Sequence, residues 1–169
     1  MDHILGYSVS NDITMRDYQN KSHQWLQGKV WDNTTPIGQS IIQRPGKEVT
    51  IVTYSKMLEI STKAADQLAK EGIEVEIVDL RSLRPLDMGP ALESFKKTNR
   101  AIVVEEGWKS YGVGSEIVSR MYEEAFDYVD APIIRVAQKE VPLPYNRTLE
   151  QAALPQVPDI VAAVKEVLK

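Results

Sequence analysis

The period of hydrophobic positions changes several times along the chain, and each change marks an element. Val49-Thr50-Ile51-Val52-Thr53-Tyr54 is a continuous β-branched run, the pattern of a strand buried on both faces. Ser55 then offers an N-cap, and Met57, Ile60, Ala64 and Leu68 recur at helical spacing until Gly72 supplies a stop. A second strand is expected over 74–80. After Pro85-Leu86, Asp87 is placed to cap a helix over 90–97. A third strand over 101–104 ends in Glu105-Glu106-Gly107, and a helix over 114–126 carries Ile117, Val118, Met121 and Ala125 as its inner stripe. A fourth strand covers 132–137. A stretch punctuated by Pro142, Pro144, Pro155 and Pro158 leads to a last helix over 159–168, with Ile160, Val164 and Leu168 on one face. Strands separated by helices of this length run parallel, because a tight hairpin cannot join them. The pattern therefore predicts a three-layer α/β/α fold with a mostly parallel sheet.

The first 43 residues lack this order. Residues 4–9 are strand-like, 12–24 are polar with weak periodicity, and 29–36 read as loop. Gln43-Arg44-Pro45-Gly46-Lys47 reads as a turn and as a junction. Composition supports a division into an N-terminal extension of weak structure (1–43) and an α/β domain (44–169). The extension holds both histidines, His3 and His23, two of the three tryptophans, and no Glu; the remainder is rich in Glu and poor in Asn and Gln. Alone, the extension cannot bury enough apolar surface to be a domain.

Whole-chain composition narrows the function classes. The absence of cysteine excludes thiol nucleophiles, iron–sulfur clusters, zinc ribbons and disulfide scaffolds. A net charge of −4 gives no support to a nucleic-acid or anionic-membrane surface. No apolar run is long enough to span a bilayer, and Met1-Asp2-His3 does not open a signal peptide, so a soluble cytoplasmic protein is expected.

Ligands of open parallel sheets collect at the carboxyl ends of the strands, which here bring Ser55, Arg81, Glu105, Glu106 and the Gly112-Val113-Gly114 turn to one edge. That turn could form an anion cradle at a helix N-terminus, although it lacks the third glycine of a dinucleotide fingerprint. Glu105 and Glu106 read as solvated or ion-paired rather than as acid and base, and Arg81 and Arg84 as organisers of a loop or interface. In the extension, Asp12 offers one carboxylate to a divalent cation, whereas Mg²⁺ normally takes a second. Arg16, Gln19 and Lys29 could hold an anionic substrate; alternatively, Asp12 caps a helical turn and Arg16 pairs with it. The two histidines have no diagnostic partner and are read as surface residues.

From about residue 46 onward the chain resembles the C-terminal, transketolase C-terminal-like domain of the beta subunit of thiamine-dependent 2-oxo acid dehydrogenases, the pyruvate dehydrogenase type above all. The resemblance rests on the run 46–55, Asp79-Leu80-Arg81-Ser82-Leu83-Arg84-Pro85-Leu86-Asp87, Val104-Glu105-Glu106-Gly107-Trp108, Gly112-Val113-Gly114-Ser115-Glu116-Ile117, Asp130-Ala131-Pro132 and Val141-Pro142-Leu143-Pro144-Tyr145. It implies a subunit-interface and assembly role, without catalysis by this piece alone. The implied partners are a dehydrogenase alpha subunit, a second beta subunit and the peripheral-subunit-binding domain of the lipoyl acyltransferase. Docking of that last partner would use Asp130 and the terminal carboxylate on Lys169. Thiamine diphosphate and Mg²⁺ belong to the parent enzyme; no cofactor is expected on this chain.

Residues 4–42 resemble a fragment of the fumarylacetoacetate hydrolase family through Gly6-Tyr7-Ser8-Val9-Ser10-Asn11-Asp12, Arg16, Gln19, Gln27-Gly28-Lys29 and Thr34-Thr35-Pro36-Ile37-Gly38. The resemblance implies that Asp12 is a metal ligand and that Arg16, Gln19 and Lys29 lie in a substrate pocket. The family's acidic metal motif and its His–Glu pair are missing from the match, so the implied site is incomplete. A hydrolase or isomerase remnant is thus the alternative function, and an inert chimera of two fragments a third.

Overall fold

The computed structural model describes residues 39–83 and 85–169. Asp12, Arg16, Gln19, Lys29, His3, His23 and Arg84 lie outside the described residues. The elements run β1 (Ile41–Arg44), β2 (Val49–Thr53), α1 (Met57–Lys70), β3 (Val75–Asp79), α2 (Gly89–Thr98), β4 (Ala101–Trp108), α3 (Val113–Ala125), a 3₁₀ turn (Phe126–Tyr128), β5 (Ile134–Gln138), α4 (Arg147–Ala153) and α5 (Val157–Val167). The five strands form one sheet in the order β1-β3-β2-β4-β5, parallel except for β1, which runs antiparallel to β3. The three-layer, mostly parallel reading therefore holds.

Successive side chains of a strand point to opposite faces, so a strand covered on both faces sends apolar side chains into both layers and must pair any polar ones it buries. In β2, Ile51 packs in the layer of α1 and α5 with Leu68, Ile160 and Val164. Its neighbour Val52 packs in the layer of α2 and α3 with Phe95, Ile117 and Met121. Gly72, at a φ of 84°, ends α1 as expected, donating its N–H to the Ala69 carbonyl.

The boundaries differ where side chains have other work. Ser55 does not cap α1: it takes a left-handed φ of 57°, Lys56 occupies the N-cap, and Ser55 contributes only its carbonyl, to the Leu58 N–H. Asp87 lies one residue ahead of the N-cap Met88; it accepts the Gly89 N–H and, with its other oxygen, the Ser40 N–H. It thereby ties the start of β1 to α2. β4 runs four residues beyond the expected end at 104, because Glu105 is buried and its backbone continues the strand. β5 begins at Ile134 rather than at residue 132. α5 begins at Val157 because Pro158 is tolerated in a first turn, and Gln156 and Asp159 close a capping box. The short α4, capped by the Asn146 side chain, and the edge strand β1 were not anticipated.

Candidate functional site

α1 leaves β2 on one face of the sheet and α2 returns to β4 on the other, so the strand order reverses between β2 and β4. In open α/β sheets this is where a crevice accepts ligands. Tyr54 and Ser55 follow β2 there, and Glu105 and Glu106 belong to β4. The crevice is filled from within. Glu105 has no exposed surface, and its Oε2 accepts the Gly114 N–H at 2.9 Å and the Tyr54 hydroxyl at 3.4 Å. The thirteen-residue helix α3 begins at Val113, so the carboxylate sits at the positive end of its dipole.

This arrangement explains the two glycines. A Cβ on Gly114 would collide with Oε1 of Glu105, and one on Gly112 would lie 2.9 Å from the same atom and closer still to the Trp108 carbonyl. The Gly112-x-Gly114 turn is an anion cradle whose anion is the chain's own glutamate. Glu105 is therefore neither solvated nor ion-paired among the described residues, contrary to the sequence reading. Burial, then the charge of Glu105 and its hydrogen bond, then the charge of Glu106 push the Tyr54 phenol far up, so Tyr54 stays protonated and serves as a donor. Oε1 of Glu105 has no hydrogen-bond partner among the described residues. Arg81, in a left-handed conformation, turns back onto its own loop: its N–H donates to Asp79 Oδ1 at 3.2 Å and its Nε lies 3.5 Å from Oδ2. That is the loop-organising role expected of it.

Around the filled crevice the carboxyl edge presents an exposed rim. Trp108 donates its indole N–H to the Val141 carbonyl at 3.2 Å. Arg135 donates to the Lys109 carbonyl at 2.7 Å and to the Ser115 hydroxyl. The N–H and hydroxyl of Ser110 both go to Glu140, holding that carboxyl below the usual range. Tyr111 takes a φ of 57° and leaves its ring wholly in solvent. Val141, Leu143, Tyr145 and Leu149, in the following connection and α4, are exposed as well. Several of these residues lie in the stretches that carry the family resemblance, yet nothing in their spacing marks them as surface. A groove of about 790 Å³ beside the edge strand β5 is bounded by Gln138, Ala153, Pro155, Asp159 and Ala163, among others.

Asp130 and Lys169 lie apart from this rim. Asp130 precedes β5, donates its backbone N–H to the Asn99 carbonyl and lies 3.8 Å from Arg100, at the amino side of the sheet. Lys169 follows α5, whose Lys165 pairs with Glu71 at the end of α1, also toward the amino side. No hydrogen bond or ion pair joins the two among the described residues. Likewise, no cluster of metal-ligating side chains occurs among them, and no helix there is long and apolar enough to cross a membrane.

Comparison with known proteins gives two family matches. The transketolase C-terminal domain model matches residues 38–160, and the fumarylacetoacetate hydrolase C-terminal model matches residues 1–71. The two overlap over 38–71, where the described residues build β1, β2 and α1 of the parallel-sheet unit. Among curated relatives, the chain is 52% identical over 130 residues to pyruvate dehydrogenase E1 component subunit beta-1, mitochondrial, of Arabidopsis thaliana, covering 77% of this chain and 36% of that protein. It is 48% identical over 139 residues to pyruvate dehydrogenase E1 component subunit beta of Rhizobium meliloti (strain 1021), covering 82% and 30%. The chain thus spans about a third of the length of these relatives. A solved structure described as a split gene transketolase, inactive beta4 tetramer, superposes with a TM-score of 0.66 at 30% identity, over 77% of this chain and 42% of that one.

Proposed function

The chain belongs to the transketolase C-terminal domain family, and from that premise we propose that residues 44–169 are the subunit-interface and assembly domain of a pyruvate dehydrogenase type beta subunit, not catalytic alone. The observation that carries this reading is the pairing of a crevice plugged by Glu105 with an exposed rim of Trp108, Tyr111, Val141, Leu143, Tyr145 and Leu149. A protein that used its switch point for chemistry would leave it open to a ligand. Here the polar groups are spent on each other and the apolar side chains face outward, as on a surface that meets another subunit. The partners are an alpha subunit, a second beta subunit and the binding domain of the lipoyl acyltransferase, with Asp130 and Lys169 as docking candidates for the last. Thiamine diphosphate and Mg²⁺ act in the complete enzyme, and this chain holds neither by itself. The setting is cytoplasmic; cell fractionation separates this from the mitochondrial setting in the names of several relatives.

The test is co-purification of the full chain with a purified pyruvate dehydrogenase alpha subunit and, separately, with the acyltransferase binding domain. Capture of either supports the reading, and capture of neither sinks it. The match of residues 1–71 favours a second reading, a Mg²⁺-dependent fumarylacetoacetate-hydrolase-type remnant using Asp12 with Arg16, Gln19 and Lys29. Saturable Mg²⁺ binding abolished by Asp12→Ala would establish it; calorimetry is expected to show none. Limited proteolysis tests the division at residue 43: trimming to a stable core that begins near residue 40 would mark the first segment as an inert appendage.

A further inference from the structure

We propose that β1 is an acid-released edge strand: as Asp66, Asp87 and Glu76 take up protons it lifts off β3, while the four parallel strands behind it stay folded. The inference concerns the edge of the sheet and does not depend on the assembly reading above. Little that is apolar holds β1 in place. Of its four residues, Ile42 and Gln43 are exposed, and neither Ile41 nor Ile42 belongs to the hydrophobic layer on either face of the sheet among the described residues. Its ladder to β3 is short and interrupted, because the register shifts between Ile42 and Arg44. A row of carboxylates does the fastening instead. Asp87 Oδ2 accepts the Ser40 N–H at 3.0 Å, Asp66 Oδ1 accepts Arg44 Nη1 at 2.5 Å, and Glu76 Oε2 accepts the Gly46 N–H at 3.1 Å. A fourth, Glu74, pairs with Lys47 at 3.0 Å, but both members are exposed and the pair contributes little.

The tethers that do not titrate sit at the two ends of the segment. The Ser40 hydroxyl faces the Leu80 and Asp87 carbonyls, and the Lys47 and Glu48 N–H groups share the Glu74 carbonyl. Between those pins, the stretch 41–46 is held by ladder and carboxylates among the described residues. A protonated carboxyl is a weaker acceptor than a carboxylate, and it offers Arg44 no opposite charge. The charged groups around each acceptor set the course of release. Asp66, on α1, has Arg44 as its ion-pair partner; Lys63, three residues before it, is taken by Glu59, and Lys70 follows four residues on. Asp87 also accepts the Gly89 N–H, with Arg120 of α3 bonded to the neighbouring Leu86 carbonyl and Arg81 turned to Asp79. At Glu76, burial pushes the carboxyl up, but Lys97, Ser94 and the Gly46 N–H outweigh it and hold it below the ordinary range. The turn at Gly46 therefore stays seated below the pH of ordinary carboxylate titration, about 4. Docking of β1 is complete at neutral pH and is lost on acidification, never the reverse.

The full chain is followed by amide hydrogen exchange from neutral pH to about pH 4, with each rate corrected for the intrinsic rate at that pH. Opening at the β1 amides is expected to rise about tenfold or more over this range, while the β2 and β4 amides keep their protection. The double variant Asp66→Asn, Asp87→Asn has the shape of the protonated acids without their charge. At neutral pH its β1 amides are expected to exchange about tenfold faster than those of the unaltered protein, and its response to acid to flatten. Protection of β1 that does not change with pH overturns the proposal. Loss of protection in β1, β2 and β4 together overturns it too, because that is ordinary acid unfolding of the whole domain. An undiminished acid response in the folded double variant is equally fatal, since other groups are then the ones that titrate. If the double variant does not fold, Arg44→Gln breaks the Asp66 bond from the strand's own side and leaves α1 and α2 unaltered. Quickened β1 exchange in Arg44→Gln at neutral pH then supports the proposal, and unchanged exchange overturns it.

Discussion

Two glutamates are wholly buried on the face of the sheet covered by α2 and α3, and they are accommodated by different means. Glu76, in the middle of β3, is 1% exposed and meets the Lys97 ammonium, which reaches in from a half-exposed position, together with the Gly46 N–H and Ser94. Glu105, near the end of β4, meets only uncharged donors, a helix-start N–H and a phenol. Burial pushes the Glu76 carboxyl up, but Lys97, Ser94 and Gly46 together outweigh it and hold it below the ordinary range. The lesson is that a buried carboxylate can depend on a titrating partner, which can be mutated or screened, or on a backbone conformation, which can only be bent. Both solutions bring a glycine close: Gly46 beside Glu76, Gly112 and Gly114 beside Glu105.

The largest effect is expected at Gly46. A Cβ there would run into the backbone of Val75 and Glu76, which cannot yield as a flexible side chain does, so Gly46→Ala should cost about 3 kcal/mol or prevent folding, read as the urea midpoint or as soluble yield. Gly46→Ala as stable as the parent would show that the amino-side site is as pliable as a surface turn. Next comes Lys97→Met, which leaves Glu76 buried without its cation; half-exposure of Lys97 moderates the cost to about 2 kcal/mol at neutral pH. The sign with pH follows from the depressed carboxyl. The stability that Glu76 contributes is complete above its unfolded value, near the ordinary 4.5, and is lost as pH falls through its lower folded value. Unfolding midpoints of parent and Lys97→Met should accordingly converge on acidification, and a gap that widens instead would contradict the pairing.

A smaller effect is expected at Thr50, whose hydroxyl shares hydrogen bonds with Ser94 at 2.7 Å and Thr98 at 2.8 Å beneath α2. Thr50→Val should lower stability by about 1–2 kcal/mol in thermal unfolding, since two buried hydroxyls lose a partner. Tyr54→Phe should cost least, about 0.5–1 kcal/mol, because the phenol bond to Glu105 is long at 3.4 Å and the Gly114 N–H remains. A loss as large as that of Lys97→Met would mean that the carboxyl-side glutamate leans on Tyr54 rather than on the helix start, and the contrast between the two sites would collapse.

The fold was legible from sequence wherever burial on both faces wrote a continuous β-branched run, as in β2, or a one-sided stripe, as in α1 and α3. It was not legible in β1, four residues with an exposed middle, or in α4, a seven-residue helix inside a proline-rich stretch. Ser55 shows why local rules fail at a strand end: its left-handed backbone, set by the turn out of β2, forfeits the capping geometry its side chain suits. At the candidate site, the glycine pair and Glu105 were each visible. What the sequence could not convey is that the nine-residue separation of Glu105 and Gly114 folds back on itself and joins them, turning a prospective phosphate cradle into an internal clasp. The rim was invisible for the opposite reason, since exposure of Trp108 or Tyr111 is a property of the finished surface and not of local pattern.

The antiparallel first strand carries one more consequence. β1 starts opposite Asp79, the last residue of β3, and Ser40 is bonded to the Leu80 and Asp87 carbonyls, so the start of this strand lies at the carboxyl side of the sheet. The edge strand is thus fastened at the carboxyl side by side-chain bonds to the loop ahead of α2 as well as by its ladder to β3, so that its register is held at both of its neighbours.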